Sequence, residues 1–345
     1  HVNSTDYKGR KACNYCGPIG QNCDRGARAS SDITYIPEAI KLGAKVRPNS
    51  TIFEITVGDD GRATGANYYN ANGEQEFQPA NAVVVGCNGI GTPRMLLHST
   101  SNSHPQGLLN SSGLVGKNLM FHVYAGASGF FNDLDAPTYR GPLACIIMSQ
   151  EFYETDPSRD FKRGYTFQMG RGQGPAPTAT GGVSWGKNHH AEFAERFGKN
   201  LGLGVIGDDL PEEINRVELD KKLTDRYGIP SPKIIYRVGE NSKRLLAHGV
   251  NSARTVLESA GASRIISSQL NTNTGWHLMG TARMGEDPAR SVVNQYGQGH
   301  DADNLFIVDG SVFVTGAAVN PTPTIQALAL RTADYIRHER SDLKS

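Results

Sequence analysis

The sequence predicts an α/β plus α+β protein: a doubly wound sheet domain with a β-meander, joined to a domain built on an antiparallel sheet. Three observations carry this. Residues 82–85 form an apolar strand that runs into a glycine-rich turn and an apolar helix, the βα crossover of a doubly wound sheet. Ahead of it, residues 44–87 alternate in character and contain two hairpin-turn signals, Asp59-Asp60-Gly61 and Asn72-Gly73. Beyond it, residues 120–240 break into short strand-like pieces separated by Gly/Pro-rich loops.

In chain order, residues 1–30 are polar and rich in Gly and Cys, and read as an irregular loop. Residues 32–42 (DITYIPEAIKL) suit a short helix closed by Gly43. In the first meander strand Ile52, Glu54 and Thr56 share one face, while Phe53, Ile55 and Val57 share the other. After the strand at 82–85, Thr92-Pro93 is expected to open the helix, because proline in the first turn gives up no helical hydrogen bond. The segments YAGASGFF, RGYTFQMG, NLGLGVIG and KIIYRV are the expected strands of the second domain. Residues 241–260 make an amphipathic helix with Leu245, Leu246, Val250, Ala253, Val256 and Leu257 as its apolar stripe, stopped by Gly261. Residues 305–311 (LFIVDGS) read as a buried strand ending in Asp-Gly, and a last helix runs over 322–338. The expected organisation is 1–119 in the first domain, 120–265 in the second, and 266–345 returning to the first.

Composition narrows the function. Across 345 residues, 35 Lys+Arg oppose 34 Asp+Glu, which argues against an electrostatic nucleic-acid binder. No run approaches the roughly 20 apolar residues of a bilayer-spanning helix. The 40 glycines imply many tight turns and close backbone approaches, as where a large cofactor lies against main chain. Five cysteines, an odd number, argue against a secreted disulfide framework; localisation stays open, with a lean toward the reducing cytoplasm.

Three constellations can carry chemistry. His277 lies in G-W-H-L-M-G-T-A-R-M-G at 275–285, either as a histidine satisfied in a turn or as a general base. Asp309-Gly310 ends a strand, where doubly wound folds place ligands. Asn320-Pro321 precedes a helix start at Thr322, whose first-turn amides favour an electron-rich group, or which Asn320 merely caps. Trp276 reads as packing or as a platform for a substrate ring. Cys13, Cys16 and Cys23 share one loop and could supply three ligands to an Fe–S cluster or zinc, but no second C-x-x-C provides a fourth, and no metal is expected. His189-His190 reads as a solvated loop, His122 as a core histidine, and Arg283 as fixing the local turn or pairing with Asp287.

Taken together, the three constellations resemble the glucose–methanol–choline (GMC) family of flavin oxidoreductases. H-L-M-G-T-A-R-M-G at 277–285 matches the family's H-x-x-G-T-x-x-M-G setting for a catalytic His, and N-P-T-P-T-I at 320–325 looks like the Asn version of its second catalytic position. N-L-F-I-V-D-G-S at 304–311, A-N-A-V-V-V-G-C-N-G-I-G-T-P-R-M-L-L-H-S at 80–99 and S-G-L-V-G-K-N-L-M-F-H at 112–122 are similar to further family segments. The likeness covers nearly the whole chain, at about the family's C-terminal two-thirds, and comes closest to bacterial sugar- and polyol-acting members. It implies a FAD-binding first domain and a substrate-binding second domain. It also implies His277 and Asn320 as catalytic residues, Trp276 toward the substrate, and Ile52, Asp309, Gly310, Asn320, Pro321 and Thr322 toward FAD. The implied activity is oxidation of a small-molecule alcohol, a sugar or polyol, with the electron acceptor undefined. The fold also hosts hydroxynitrile lyases, which is the second enzymatic reading; an inactive remnant paired with another chain is a third.

One departure is large. The family's G-x-G-x-x-G fingerprint for the ADP pyrophosphate has no counterpart near residue 1, and G-C-N-G-I-G at 86–91 fits the later crossover instead. The expectation is a fragment or one part of a split enzyme, completed by a complementary N-terminal chain and a poor FAD binder alone.

Overall fold

The computed structural model describes residues 2–17, 23–134, 138–140, 147–272 and 275–343. Cys145 lies outside them. By contact the chain forms two compact units, one of His1–Val46, Tyr124–Gly207 and Lys243–Thr272, the other of Arg47–Val123, Asp208–Ser242 and Asn273–Ser345. Residues 1–46 thus cluster with the first unit, and 208–242 with the second.

The first unit opens with α1 (Tyr35–Lys41), preceded by a single 3-10 turn at Ser31–Ile33. The second unit then begins with the meander β1 (Thr51–Val57), β2 (Ala63–Tyr69) and β3 (Gln75–Pro79), an antiparallel sheet in that order. The strict alternation expected in β1 fails at a bulge. Ile52 pairs with Tyr68 and Glu54 with Asn67, so Phe53 is the extra residue and the faces exchange. Ile55 enters the core while Ile52 is left 49% exposed.

Strand β4 (Val83–Val85) leads into α2 (Asn88–His98). The helix therefore starts before Thr92-Pro93, and Pro93 sits inside it. Asn88 supports the earlier start: its side chain accepts from the Ile90 and Gly91 amides at 2.9 and 3.3 Å.

The five-stranded sheet has the order β11-β5-β8-β7-β6, from β5 (His122–Phe130), β6 (Met148–Ser149), β7 (Tyr165–Gly170), β8 (Asn200–Asp208) and β11 (Arg264–Ser268). β11 runs antiparallel to β5, and β7 to both β6 and β8. A single helical turn α3 (Pro175–Pro177) and α4 (His189–Arg196) lie between β7 and β8, so His189-His190 opens a helix rather than sitting in a loop. β9 (Arg216–Thr224) and β10 (Pro230–Ile235) form a separate antiparallel pair. In α5 (Glu240–Ser259), Leu245, Leu246, Val250, Ala253 and Leu257 are buried as expected, but Val256 faces outward.

β12 (Leu305–Ile307) pairs in parallel with β4, Leu305 opposite Val83 and Ile307 opposite Val85. Asn304, buried at its start, ties this pair to the meander: Oδ1 accepts the Ala63 amide at 2.8 Å and Nδ2 donates to the Ala63 and Asn81 carbonyls. Ile55, Val85, Leu96, Leu305, Ile307 and Val312 share the core that this arrangement closes. α6 (Thr322–Glu339) ends the fold, and Arg340 anchors its end on Asp342 and Asp303. No helix among the described residues is long and apolar enough to cross a membrane.

Candidate active site

The segment bearing His277 is laced into the second unit on both flanks. On one side Met120 and Met279 exchange both backbone hydrogen bonds, the His122 amide donates to Trp276 O, and the Gly116 amide donates to Thr281 O. On the other side the Gly280, Ala282 and Met284 amides donate to Gly310, Ser311 and Val312 carbonyls at 3.3, 2.9 and 2.9 Å. Segment 276–284 thus runs between 116–122 and 310–312, and each of these ties is main chain to main chain.

Two side chains make this packing specific. Pro93 has no N–H, so the Gly89 carbonyl loses its helical partner. The buried Thr281 hydroxyl replaces it, donating to Gly89 O at 2.8 Å. Replacing Thr281 with Val leaves that carbonyl buried and unpaired; urea unfolding is expected to show a loss of about 1–3 kcal/mol, and Ser at 281 is expected to recover most of it. A loss within error for Val would contradict the assignment. The other side chain is Asp309. Its carboxylate accepts the Asn88 amide at 3.0 Å, the Thr92 hydroxyl, and the Ser311 amide at 2.8 Å. Asp309 therefore fastens the end of β12 to the start of α2.

His277 has φ +60°, a left-handed backbone for a residue with a side chain. Its Nδ1 lies 2.7 Å from Nδ1 of His122, with the rings edge to face at 71°. His122 is 1% exposed, and its Nε2 lies 3.1 Å from Gly316 O. Burial, reinforced by the neighbouring His122, lowers the His277 pKa to about 4. Burial also lowers that of His122. Both imidazoles are neutral at pH 7.

The remaining expected site residues divide. Gly310 is where the His277 segment meets α6: a Cβ built on it would lie 2.7 Å from Leu278 O and 3.6 Å from Ile325 Cδ1. Asn320 and Thr322 are exposed, and Pro321, the residue capping α6, is buried. Pro321 has no side chain able to cap that helix. Trp276 is 46% exposed beside His277. Ile52 lies out on the meander. The expected Arg283–Asp287 pairing is not formed: Arg283 Nε is buried without a hydrogen bond, and Asp287 accepts the Ala289 amide instead. Cys13, Cys16 and Cys23 carry free thiols, and among the described residues no His/Cys/Asp/Glu group is gathered to hold a metal ion. Sequence reasoning missed His122 and Thr281, whose partners lie far along the chain.

Sequence comparison decides the family. A GMC oxidoreductase N-terminal profile matches residues 3–124 and a C-terminal profile matches residues 211–329. The chain belongs to the GMC oxidoreductase family. It is 40% identical over 343 residues to a 2-methyl-1,2-propanediol dehydrogenase of Mycolicibacterium austroafricanum, covering 97% of this chain and 62% of that protein. It is 30% identical over 346 residues to a fructose dehydrogenase large subunit of Gluconobacter japonicus, covering 98% and 62%. The chain thus spans about three fifths of the length of these GMC relatives. Among solved structures, a formate oxidase superposes with a TM-score of 0.57 at 15% identity, covering 86% of this chain and 61% of that one. A pyridoxine 4-oxidase from Mesorbium loti does so with 0.56 at 16%, covering 84% and 57%. At such identities the two structures speak to the GMC fold alone.

The residues present fit FAD, the family's cofactor. Gly86, Cys87 and Asn88 are exposed where β4 ends, as ligand sites of doubly wound sheets require. Val84 keeps a 52% exposed apolar surface on β4. The first turn of α6 has the positive end of its dipole available to an electron-rich group.

Proposed function

We propose that this chain carries the base and the cofactor-facing residues of a FAD-dependent alcohol oxidation, with a sugar or small polyol as substrate. The observation that carries it is the neutral, half-buried His277, held in an unusual backbone conformation and hydrogen-bonded through Nδ1 to His122. Its other nitrogen, Nε2, accepts the substrate hydroxyl proton. Asn320 offers an amide that donates to the substrate oxygen and orients the C–H bond. Trp276 gives the substrate an apolar wall. The first turn of α6, with Asn320, Pro321 and Thr322, and the strand end at Asp309-Gly310 would hold the flavin, with Ile52 as a further apolar contact. When bound, FAD supplies the hydride acceptor.

The diol and fructose dehydrogenase relatives support the substrate class. The unit holding the five-stranded sheet is proposed to select the substrate, which follows the expected 120–265 division in outline. A relative named as a large subunit supports assembly with another chain, for which a complementary N-terminal chain is the proposed partner.

The test is anaerobic addition of a sugar or 1,2-diol to the FAD-loaded protein. Bleaching of the flavin absorbance is the expected result; intact absorbance with turnover of the substrate would favour the lyase reading. The same assay checks Asn320→Ala, expected to weaken substrate binding more than it slows flavin reduction.

The pH profile follows from the lowered pKa. A histidine whose folded pKa falls from 6.5 to about 4 stays proton-free as the pH drops through 6.5. The acid limb of flavin reduction is therefore expected near pH 4. Between those values the unfolded chain binds the extra proton, so His277 lowers stability progressively as pH falls from 6.5 toward 4. A limb centred near 6.5 would reject this environment for the base.

A further inference from the structure

We infer that His122 is a positioning residue that fixes His277 as its Nδ1–H tautomer, leaving the Nε2 lone pair as the one basic site His277 offers to substrate. The inference deepens the proposed function and rests on His277 being the base.

The argument is one of donors and acceptors. Gly316 O can only accept, so the His122 nitrogen 3.1 Å from it, Nε2, carries a hydrogen. A neutral imidazole carries one N–H, so Nδ1 of His122 holds a lone pair. At 2.7 Å, that lone pair requires the facing Nδ1 of His277 to donate. The proton of neutral His277 is then placed, and Nε2 is its acceptor. A free imidazole chooses between its two tautomers; here a backbone carbonyl makes the choice through an intervening ring.

The chain of hydrogen bonds depends on His122 being neutral, and its surroundings favour that. His122 is almost wholly buried, and both its ring nitrogens are engaged, by a carbonyl and by a neutral imidazole. The titratable groups about it are His277 and Asp208. The latter's Oδ1 lies 3.3 Å from the Cβ position of Gly316, whose carbonyl takes the His122 hydrogen. The Gly316 carbonyl favours a charged ring, but burial is the larger influence and lowers the pKa of His122.

The consequence for turnover is that no tautomer exchange is needed. The hydroxyl proton moves to His277 Nε2 while the Nδ1–H bond to His122 persists. The imidazolium so formed keeps an acceptor for its second hydrogen, and the protonation is reversed at Nε2 when the proton leaves for water.

The experiment is long-range 1H–15N correlation on the full chain labelled with 15N-histidine, at pH 7.5, with the two signals assigned by single substitution. Expected are a protonated Nδ1 and bare Nε2 for His277, and the reverse for His122. His122→Asn, whose Oδ1 can stand in for the Nδ1 acceptor, is expected to keep His277 in the same tautomer. His122→Leu removes the acceptor, and the proton is expected to shift to Nε2. Flavin reduction by the loaded Leu variant should then fall about 10–100-fold, the usual cost of losing a histidine's orienting partner, with recovery in the Asn variant. A wild-type spectrum with His277 protonated at Nε2, or with His122 doubly protonated, overturns the inference, and needs no variant to fold. Because tautomers are read without turnover, the result is separate from whether His277 is the base, which His277→Ala decides.

Discussion

Replacing His277 with alanine is expected to slow flavin reduction by about 10²–10⁴-fold, the range a positioned general base contributes. The measurement is the anaerobic single-turnover rate with saturating alcohol, in FAD-loaded protein. Alanine removes the imidazole and spares the lacing, since 276–284 is tied to its neighbours by backbone bonds that any residue makes. The backbone at 277 stays left-handed, which alanine tolerates no better than histidine, so stability should change little from that source. The loss therefore reads on proton transfer. It should also abolish the acid limb near pH 4, because the group responsible for it has gone. An unchanged reductive half-reaction would end the base assignment. Loss of flavin binding without loss of intrinsic rate would instead make His277 part of the cofactor's cradle.

The second large effect is structural. Gly280→Ala is expected to cost roughly 2–5 kcal/mol, enough to unfold a marginal domain. Two terms add. Gly280 has φ +92°, a backbone an L-residue enters at about 1–2 kcal/mol. Its added Cβ would lie 2.1 Å from Asn118 O and 2.9 Å from Met120 Cε. That carbonyl belongs to the segment bonded to 276–281, so relief means parting the two strands, an overpacking cost of about 1–3 kcal/mol. Urea unfolding of the variant beside Gly275→Ala, where the nearest atom is 4.0 Å away, separates crowding from generic glycine effects. A difference below about 1 kcal/mol would show that the two segments part without strain.

Local signals in the sequence sufficed for much of the fold. The meander was legible from its two hairpin turns, and the β4-to-α2 crossover from an apolar strand meeting glycines. α5 was legible from its 3.6-residue period. What failed had non-local causes. α2 begins at Asn88 because the Asp309 carboxylate, from the far end of the chain, receives the Asn88 amide and the Thr92 hydroxyl. Pro93 inside the helix is tolerated because Thr281 covers the carbonyl it abandons. Neither partner is visible from the crossover itself. β9, with the charged text RVELDKKLT, escapes notice because its outer half is solvated and only Val217 is buried. The bulge at Phe53 depends on the register of a neighbouring strand.

The site divides the same way. His277 and the segments at 112–122 and 304–311 were legible as motifs, and the structure runs these segments side by side. That His122 faces His277 was not, because the two are 155 residues apart and nothing in their spacing announces the meeting. Reading His122 as a core histidine is right about its burial and silent on its partner. Asp309 was expected to face the cofactor; its carboxylate is engaged by α2, so what this strand end offers a ligand is main chain, beside the exposed backbone at Gly86 and the turn before α6.

The backbone stitching of segment 276–284 has an evolutionary consequence. Peptide groups are indifferent to the side chains they carry, so positions without a part like that of Gly280 or Thr281 can drift and the imidazole stays where it is. On the proposed reading, surrounding loops can be remodelled for new alcohols while the proton-accepting nitrogen keeps a fixed address.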